Sequence, residues 1–373
     1  MRIGIQLLSL KPGQVGGHEV FIRRLIHHML TQLGDDRLVL FLRPQTAGLA
    51  EYREVAQAPG VETIVEDPDP HHGPAYADWN LGLLDAARLD AVYFPLSFFF
   101  PRPLPFPVAV HIADIQYEYF PEYFPPEQLA WRRERIPESV ALADAVITHT
   151  QFSADCIREK LDAAADKLHI VPPGGFLAHE ISQPRQDVSA PINAERPFIY
   201  YPAADWPHKN HETLLNAVAI LASREVDVDL VLTGMLTQPG DRLQRLAASL
   251  KITDRVRFLG HVSQPALIEL YRNAAMMAFP SRFEGFGLPL VEAMQLDCPI
   301  VASQAGAVVE VAGGAALHCT DDATAWADAI AKVLTDADYR DELIRRGRAR
   351  AAQYDWTRCA ARHLEILRSL ANE

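Results

Sequence analysis

The sequence is poor in the features that mark several large protein classes. Its 373 residues include four cysteines, Cys156, Cys298, Cys319 and Cys359. They are scattered without a C-x-x-C pair or zinc-like spacing, which argues against a disulfide framework or structural metal and points to a reducing, cytosolic compartment. No run approaches the ~18 uninterrupted apolar residues of a membrane-spanning helix. The opening "MRIGIQLLSLKPG" has a short apolar run cut off by Lys11-Pro12, with no small-residue cleavage site, and reads as a first strand rather than a leader. Basic residues are also in deficit. With 35 Lys and Arg against 48 Asp and Glu, the net charge is −13, and a chain without a basic face is poorly suited to a nucleic-acid backbone. Low-complexity tracts and short-period repeats are missing too. What remains is the profile of a globular chain, 49% hydrophobic and 22% charged, with the length of about two domains.

Apolar runs of strand length alternate with segments of helical period. In the first half the strand candidates are 2–8, 38–42, 61–66, 90–96, 107–113, 144–150 and 168–174, with helical spacing over 17–33, 76–88, 126–143 and 151–162. Residues 177–196 lose periodicity and collect Pro, Ser, Gln and charge, as a linker does. A second series follows at 197–203, 228–234, 255–260, 276–281 and 299–303. The stretch 322–371 reads as two or three helices with a break at "QYDWT" (353–357). The fold class expected is α/β, with two doubly wound Rossmann-like domains of parallel strands facing across a cleft: 1–176, the linker 177–196, 197–354, and a last helix, 355–373, returning to the first domain.

The segment "SRFEGFGLPLVEAM" (281–294) sets Glu284 before a Gly285-Phe286-Gly287 turn, Leu288-Pro289 at a helix start, and Glu292 one turn further in. Glycine permits close ligand approach, proline suits the first helical position, and the first amides of a helix bind anions such as a diphosphate. Two carboxylates at different depths beside such a site suit hydroxyls on both sides of a diphosphate, as in a nucleotide sugar. A solvated loop Glu and a Glu favoured by the helix dipole fit the same pattern.

"EGFGLPLVEAM" resembles the E-x7-E signature of family 4 retaining glycosyltransferases of the two-Rossmann-domain (GT-B) type. "YYPAADWPHKNHETLLNAV" (200–218), the run 258–281 and "VASQAGAVVEVAGGAALHC" (301–319) are similar to neighbouring segments of that family. The resemblance is strong from about 197 to 320 and weaker through the first half. It implies transfer of a hexose-type sugar from a GDP- or UDP-linked donor to a hydroxyl of a glycan or lipid-linked acceptor. The product would keep the anomeric configuration, and neither cofactor nor metal would be needed. Surface polysaccharide assembly is the setting implied, with mannosyl- or rhamnosyl-type enzymes as the nearest analogy for "HKNH". A lipid-linked acceptor would bring peripheral contact with the inner face of a membrane, although the small cluster Arg23, Arg24, His27 and His28 also reads as a solvated helix face.

Residue by residue, the resemblance assigns Lys209 to the leaving diphosphate. Glu284 would lie near the sugar, Glu292 on the ribose, and Arg282, Gly285, Phe286, Gly287 and Leu288 around the donor. Lys209 precedes Asn210, a helix N-cap candidate. Relatives often carry an arginine five positions before the lysine; here that position is Ala204, so Arg282 is the next candidate for neutralising charge. Gly16-Gly17 corresponds to a turn against the donor phosphates and is not a dinucleotide G-x-G-x-x-G. His111 and Asp114 are candidates for positioning the sugar or acceptor, against a strand-end histidine and a turn-capping aspartate. The aromatics Tyr117 to Phe124 form either an acceptor platform or loop packing. Asp67-Pro68-Asp69 imitates a metal-binding D-x-D, but its prolines favour a surface turn. Two other readings remain: a phosphorylase or epimerase of the same architecture, and a non-catalytic nucleotide-sugar binder.

Overall fold

The computed structural model describes residues 1–13, 16–67, 74–100, 103–184, 186, 196–235 and 242–372, with 74–77 by backbone alone. Two compact units result, Met1–Pro173 with Asp355–Glu373, and Gly174–Tyr354.

The first unit is built on β1 (Arg2–Gln6), β2 (Arg37–Leu42), β3 (Val61–Val65), β4 (Ala91–Phe94), β5 (Val108–His111), β6 (Ala145–Thr148) and β7 (Leu168–Ile170). Among the described residues they form one sheet in the order β3-β2-β1-β4-β5-β6-β7, and its pairs are parallel. β4, β5 and β6 are buried at every position, which is why they read as unbroken apolar runs rather than alternating ones. The helix Trp356–Leu370 packs on Gly17–Leu30 and β4. Asp355 caps its start, accepting from Arg358 N at 2.8 Å, as the polar break at 353–357 suggests. Near its end, Arg368 Nε donates to Asp36 Oδ2 at 2.7 Å.

The second unit contains β8 (Phe198–Pro202), β9 (Asp229–Thr233), β10 (Val256–Gly260), β11 (Met276–Phe279), β12 (Ile300–Ser303) and β13 (Ala316–Cys319). Their order is β10-β9-β8-β11-β12-β13, again with parallel pairs. β13 is missing from the apolar runs picked out above: "ALHC" is only four residues long with His318 inside it, and it joins the sheet through pairing with β12. A turn of helix, Ala178–Ile181, forms inside the stretch expected to be linker.

Each sheet therefore reverses its strand order once, between β1 and β4 in the first unit and between β8 and β11 in the second. The crevice at the carboxyl ends of such a pair is where doubly wound sheets hold ligands. No helix among the described residues is long and apolar enough to cross a membrane. The four cysteines are free thiols, all buried.

Candidate active site

In the second unit the two segments that leave β8 and β11 meet. The first makes a tight turn, Pro207–Lys209, and the helix His211–Ser223 follows it. The second runs through Arg282 and Glu284 into the helix Leu288–Gln295. Backbone and side-chain bonds tie them together. Arg282 N donates to His208 O at 2.8 Å, and Tyr201 Oη donates to Lys209 O at 2.8 Å. Lys209 Nζ then reaches Glu284 Oε1 at 2.6 Å, with the two side chains 21% and 11% exposed. An ammonium and a carboxylate held this far from water interact far more strongly than a surface pair.

Asn210 occupies the position before the helix, but not as a side-chain cap. Its backbone is left-handed, φ 57°, and no cap bond runs from its side chain to the helix amides. Its Nδ2 instead donates to Asp321 Oδ1 at 2.8 Å and to Pro280 O at 3.3 Å. Asp321 also accepts from Thr213 Oγ1 at 3.2 Å and from Arg282 Nε at 2.8 Å. Burial pushes the Asp321 carboxyl up, yet the bonds from Arg282 and Asn210 outweigh it and hold it below its ordinary range. Arg282 is thus placed beside the Lys209 turn by a carboxylate that nothing in the sequence singled out. His208 is driven down to about 2 by burial and then by the Lys209 charge, and His211 to about 4, mainly by burial. Both are neutral at pH 7.

Gly287 starts the helix with φ 88° and ψ 62°, a conformation in which a side chain is strained. Phe286 is buried with its ring edge-on to Tyr354 at 5.3 Å, and Leu288 packs against the core. These contacts fix the helix start, whose first amides and dipole favour an anion. Glu292 is 7% exposed and accepts from Tyr271 Oη at 3.2 Å. That tyrosine, buried against Tyr200 at 5.0 Å, aims the carboxylate. It lies in a helix whose apolar period gave no hint of such a role.

In the first unit the candidates gather at the corresponding reversal. Gly16, φ 54° with open space where a Cβ would stand, opens the helix Gly17–Leu30. His18 then points Nε2 at Pro95 O, just past β4. His111 ends β5, fully buried, with Nε2 at 3.1 Å from Nε2 of His149. Its ring packs against Phe21 at 4.8 Å and His18 at 5.3 Å. His363 lies 6.5 Å away, its Nε2 at 3.4 Å from Tyr93 Oη. Asp114 accepts from Gln116 N at 3.0 Å, so it caps the turn, while its charge also reaches His18. His149 was legible in principle, since it follows its strand as His111 ends a neighbouring one. His363, on the last helix, carried no signal.

Other expectations are modified. Tyr117 is buried and Phe120 stacks on Tyr123 at 5.3 Å, which is packing within the loop. Arg24 is buried and Arg23 is paired with Glu51 at 3.0 Å, so that helix carries less free basic charge than its sequence suggests. Pro68 and Asp69 lie outside the described residues. Among those described, no group of three or more His, Cys, Asp or Glu is arranged to hold a metal ion.

Residues 15–174 match the family model Glycosyltransferase Family 4 and residues 182–350 match Glycosyl transferases group 1. The chain is 26% identical to O-antigen chain mannosyltransferase B of Escherichia coli over 94% of this chain and 99% of that protein. It is 28% identical to the MMP alpha-(1->4)-mannosyltransferase of Mycolicibacterium hassiacum, over 97% of each. HepE of Anabaena, solved in complex with UDP and glucose, superposes with a TM-score of 0.73 at 20% identity, covering 99% of this chain and 100% of that one; at that identity the likeness speaks for the fold.

Proposed function

The chain belongs to the glycosyltransferases, family 4 in its first half and group 1 in its second, and from that premise we propose a retaining, metal-independent transfer of a hexose from a nucleoside diphosphate sugar. The observation that carries the reading is the Lys209–Glu284 contact at 2.6 Å, formed at the strand-order reversal of the second sheet. A lysine, a nearby arginine and a helix start offer fixed positive charge for a departing diphosphate. Preorganised charge of this kind supplies a large share of many rate enhancements. Lys209 would exchange Glu284 for the phosphate oxygens, freeing the carboxylate to face the sugar or the positive charge growing at its anomeric carbon. Glu292, aimed by Tyr271, would accept from the ribose hydroxyls, and the turn Gly285–Leu288 would hold phosphate. With no protein nucleophile assigned, the acceptor hydroxyl attacks from the face the diphosphate leaves and gives its proton to the departing diphosphate oxygen as the anomeric C–O bond to it breaks, which retains configuration.

In the first unit, Gly16-Gly17, His111 and Asp114 would position sugar hydroxyls. The mannosyltransferases among the relatives support a mannosyl donor and an O-antigen or other surface glycan as acceptor, and the UDP bound by HepE keeps a uridine donor in view. A lipid-linked acceptor would place the protein at the inner face of a membrane.

A thermal-shift panel of GDP, UDP, GDP-mannose and UDP-glucose against wild type and Lys209→Ala tests the reading. Stabilisation by one nucleotide series, weakened in the variant, is expected. Indifference to every compound would remove its basis. A protein stabilised by donor that never releases nucleoside diphosphate would be a binder rather than an enzyme.

A further inference from the structure

Three segments meet at the carboxyl end of the second sheet, and one carboxylate joins them. Asp321 follows the edge strand β13, yet it bonds to the segments that leave β8 and β11. Its two oxygens take separate partners. Oδ1 accepts from Asn210 Nδ2 at 2.8 Å, and Thr213 Oγ1 shares its one hydrogen between Asp321 Oδ1 at 3.2 Å and Asn210 Oδ1 at 2.9 Å. Oδ2 accepts from Arg282 Nε at 2.8 Å. The first oxygen therefore holds Asn210, whose left-handed backbone, φ 57°, follows directly on Lys209. The second holds the guanidinium.

Arg282 and Asp321 are 39% and 47% exposed, and an ion pair so open to water adds little to stability. What it restricts is geometry. Ordering a long cationic side chain costs rotamer entropy, and a charge ordered beforehand meets its ligand without that cost. The left-handed Asn210 likewise persists where its surroundings fix it, here through Asp321 and Pro280 O at 3.3 Å. We infer that Asp321 is a positioning residue that divides its work between its oxygens: Oδ1 fixes the turn that carries Lys209, and Oδ2 fixes Arg282. Two cations from distant segments are thereby made to converge on the second phosphate of a nucleoside diphosphate. That ligand rests on the glycosyltransferase reading, whereas the brace is read from the contacts alone.

The test measures Kd by calorimetry on the full-length protein for GDP and GMP, or for UDP and UMP where the uridine series is the one that stabilises it. Asp321→Asn separates the two tasks. Its amide oxygen can accept at the Oδ1 position, while its NH2 group meets the Arg282 N–H donor to donor. It should weaken the diphosphate about tenfold, near 1.4 kcal/mol, and the monophosphate less than about twofold. Arg282→Ala should do the same, and the double variant Asp321→Asn/Arg282→Ala should bind no more weakly than Arg282→Ala alone. Asp321→Ala removes both tasks and should weaken the diphosphate further, an extra loss that vanishes in a Lys209→Ala background. A double variant showing the product of the two single losses overturns the proposal, as does an Asp321→Asn variant that binds the diphosphate like wild type or weakens both nucleotides equally. If Asp321→Ala does not fold, the cycle of Asp321→Asn with Arg282→Ala still decides. The brace has its own readout in protein labelled with 13C-carboxyl aspartate. The resonance lost in Asp321→Asn should titrate below the ordinary aspartate range in wild type and move up in Arg282→Ala; a titration unmoved there overturns the brace. If neither nucleotide series binds, the functional reading fails while this titration stands apart from it.

Discussion

Lys209 is the side chain from which most of the proposed chemistry follows. Its ammonium is paired in the free protein with Glu284 at 2.6 Å, so a diphosphate must compete with a carboxylate already in place. That competition limits how much the lysine adds to ground-state binding. As charge builds on the leaving oxygen the balance tips toward the phosphate, and the interaction is strongest where it accelerates the reaction. Lys209→Ala should therefore lower kcat by about 10²- to 10³-fold, the scale of removing one oxyanion donor, while donor Kd by calorimetry moves less than tenfold. A loss confined to Kd would show that the lysine only binds. Asp321 shows why part of this was hidden in the sequence. Its role comes from three contacts, with Asn210, Thr213 and Arg282, whose positions lie 39 to 111 residues away, and no local pattern encodes such a meeting. Glu284 and Glu292 stood out because their spacing to a glycine turn and a proline is local, and Lys209 through the resemblance of its segment, but the meeting of Lys209 with Glu284 across 75 positions has no local pattern either.

At the scale of elements, the helix Leu288–Gln295 depends on how it begins. Gly287 turns the chain with φ 88°, and a Cβ added there would stand 3.0 Å from Leu290 Cδ1 and 3.5 Å from Phe279. Gly287→Ala adds a left-handed alanine to a tight contact, and should destabilise the second unit by about 1–3 kcal/mol. Urea unfolding measures this as a lower midpoint with unchanged m-value. The same variant should lose donor-induced thermal stabilisation, because the amides that face an anion move with the turn. An Ala variant as stable as wild type would mean the turn tolerates a side chain. Buried parallel strands announced themselves as apolar runs, which made the fold class readable from β1 to β12. β13 did not, because edge pairing and not composition makes Ala316–Cys319 a strand. Asn210 sits where a cap was expected, yet its left-handed backbone and its bond to Asp321 make it a brace for the turn.

Across the whole molecule the burial of histidine has a consequence for stability. His18 and His111 are lowered, His149 to about 3 and His363 to about 4, in the first unit. His208 falls to about 2 and His211 to about 4 in the second. Burial is the leading cause for each. Their unfolded pKa is near 6.5. Below that value the unfolded chain takes up protons the native rings refuse, so stability falls as pH falls, by up to about 1.4 kcal/mol per pH unit for each group. Carboxylates with lowered native pKa, Asp36 and Asp321, act in a different window. Their stabilisation is complete above the unfolded value of 3.8 and is lost only as pH drops through their native pKa. Between pH 6.5 and 5 the histidines therefore dominate. The urea midpoint should drop steeply over that interval, and His363→Leu should flatten the drop by one proton's worth while lowering stability at pH 7 through the lost bond to Tyr93. Urea midpoints that stay level from pH 7 to 5 would show that these rings reach water.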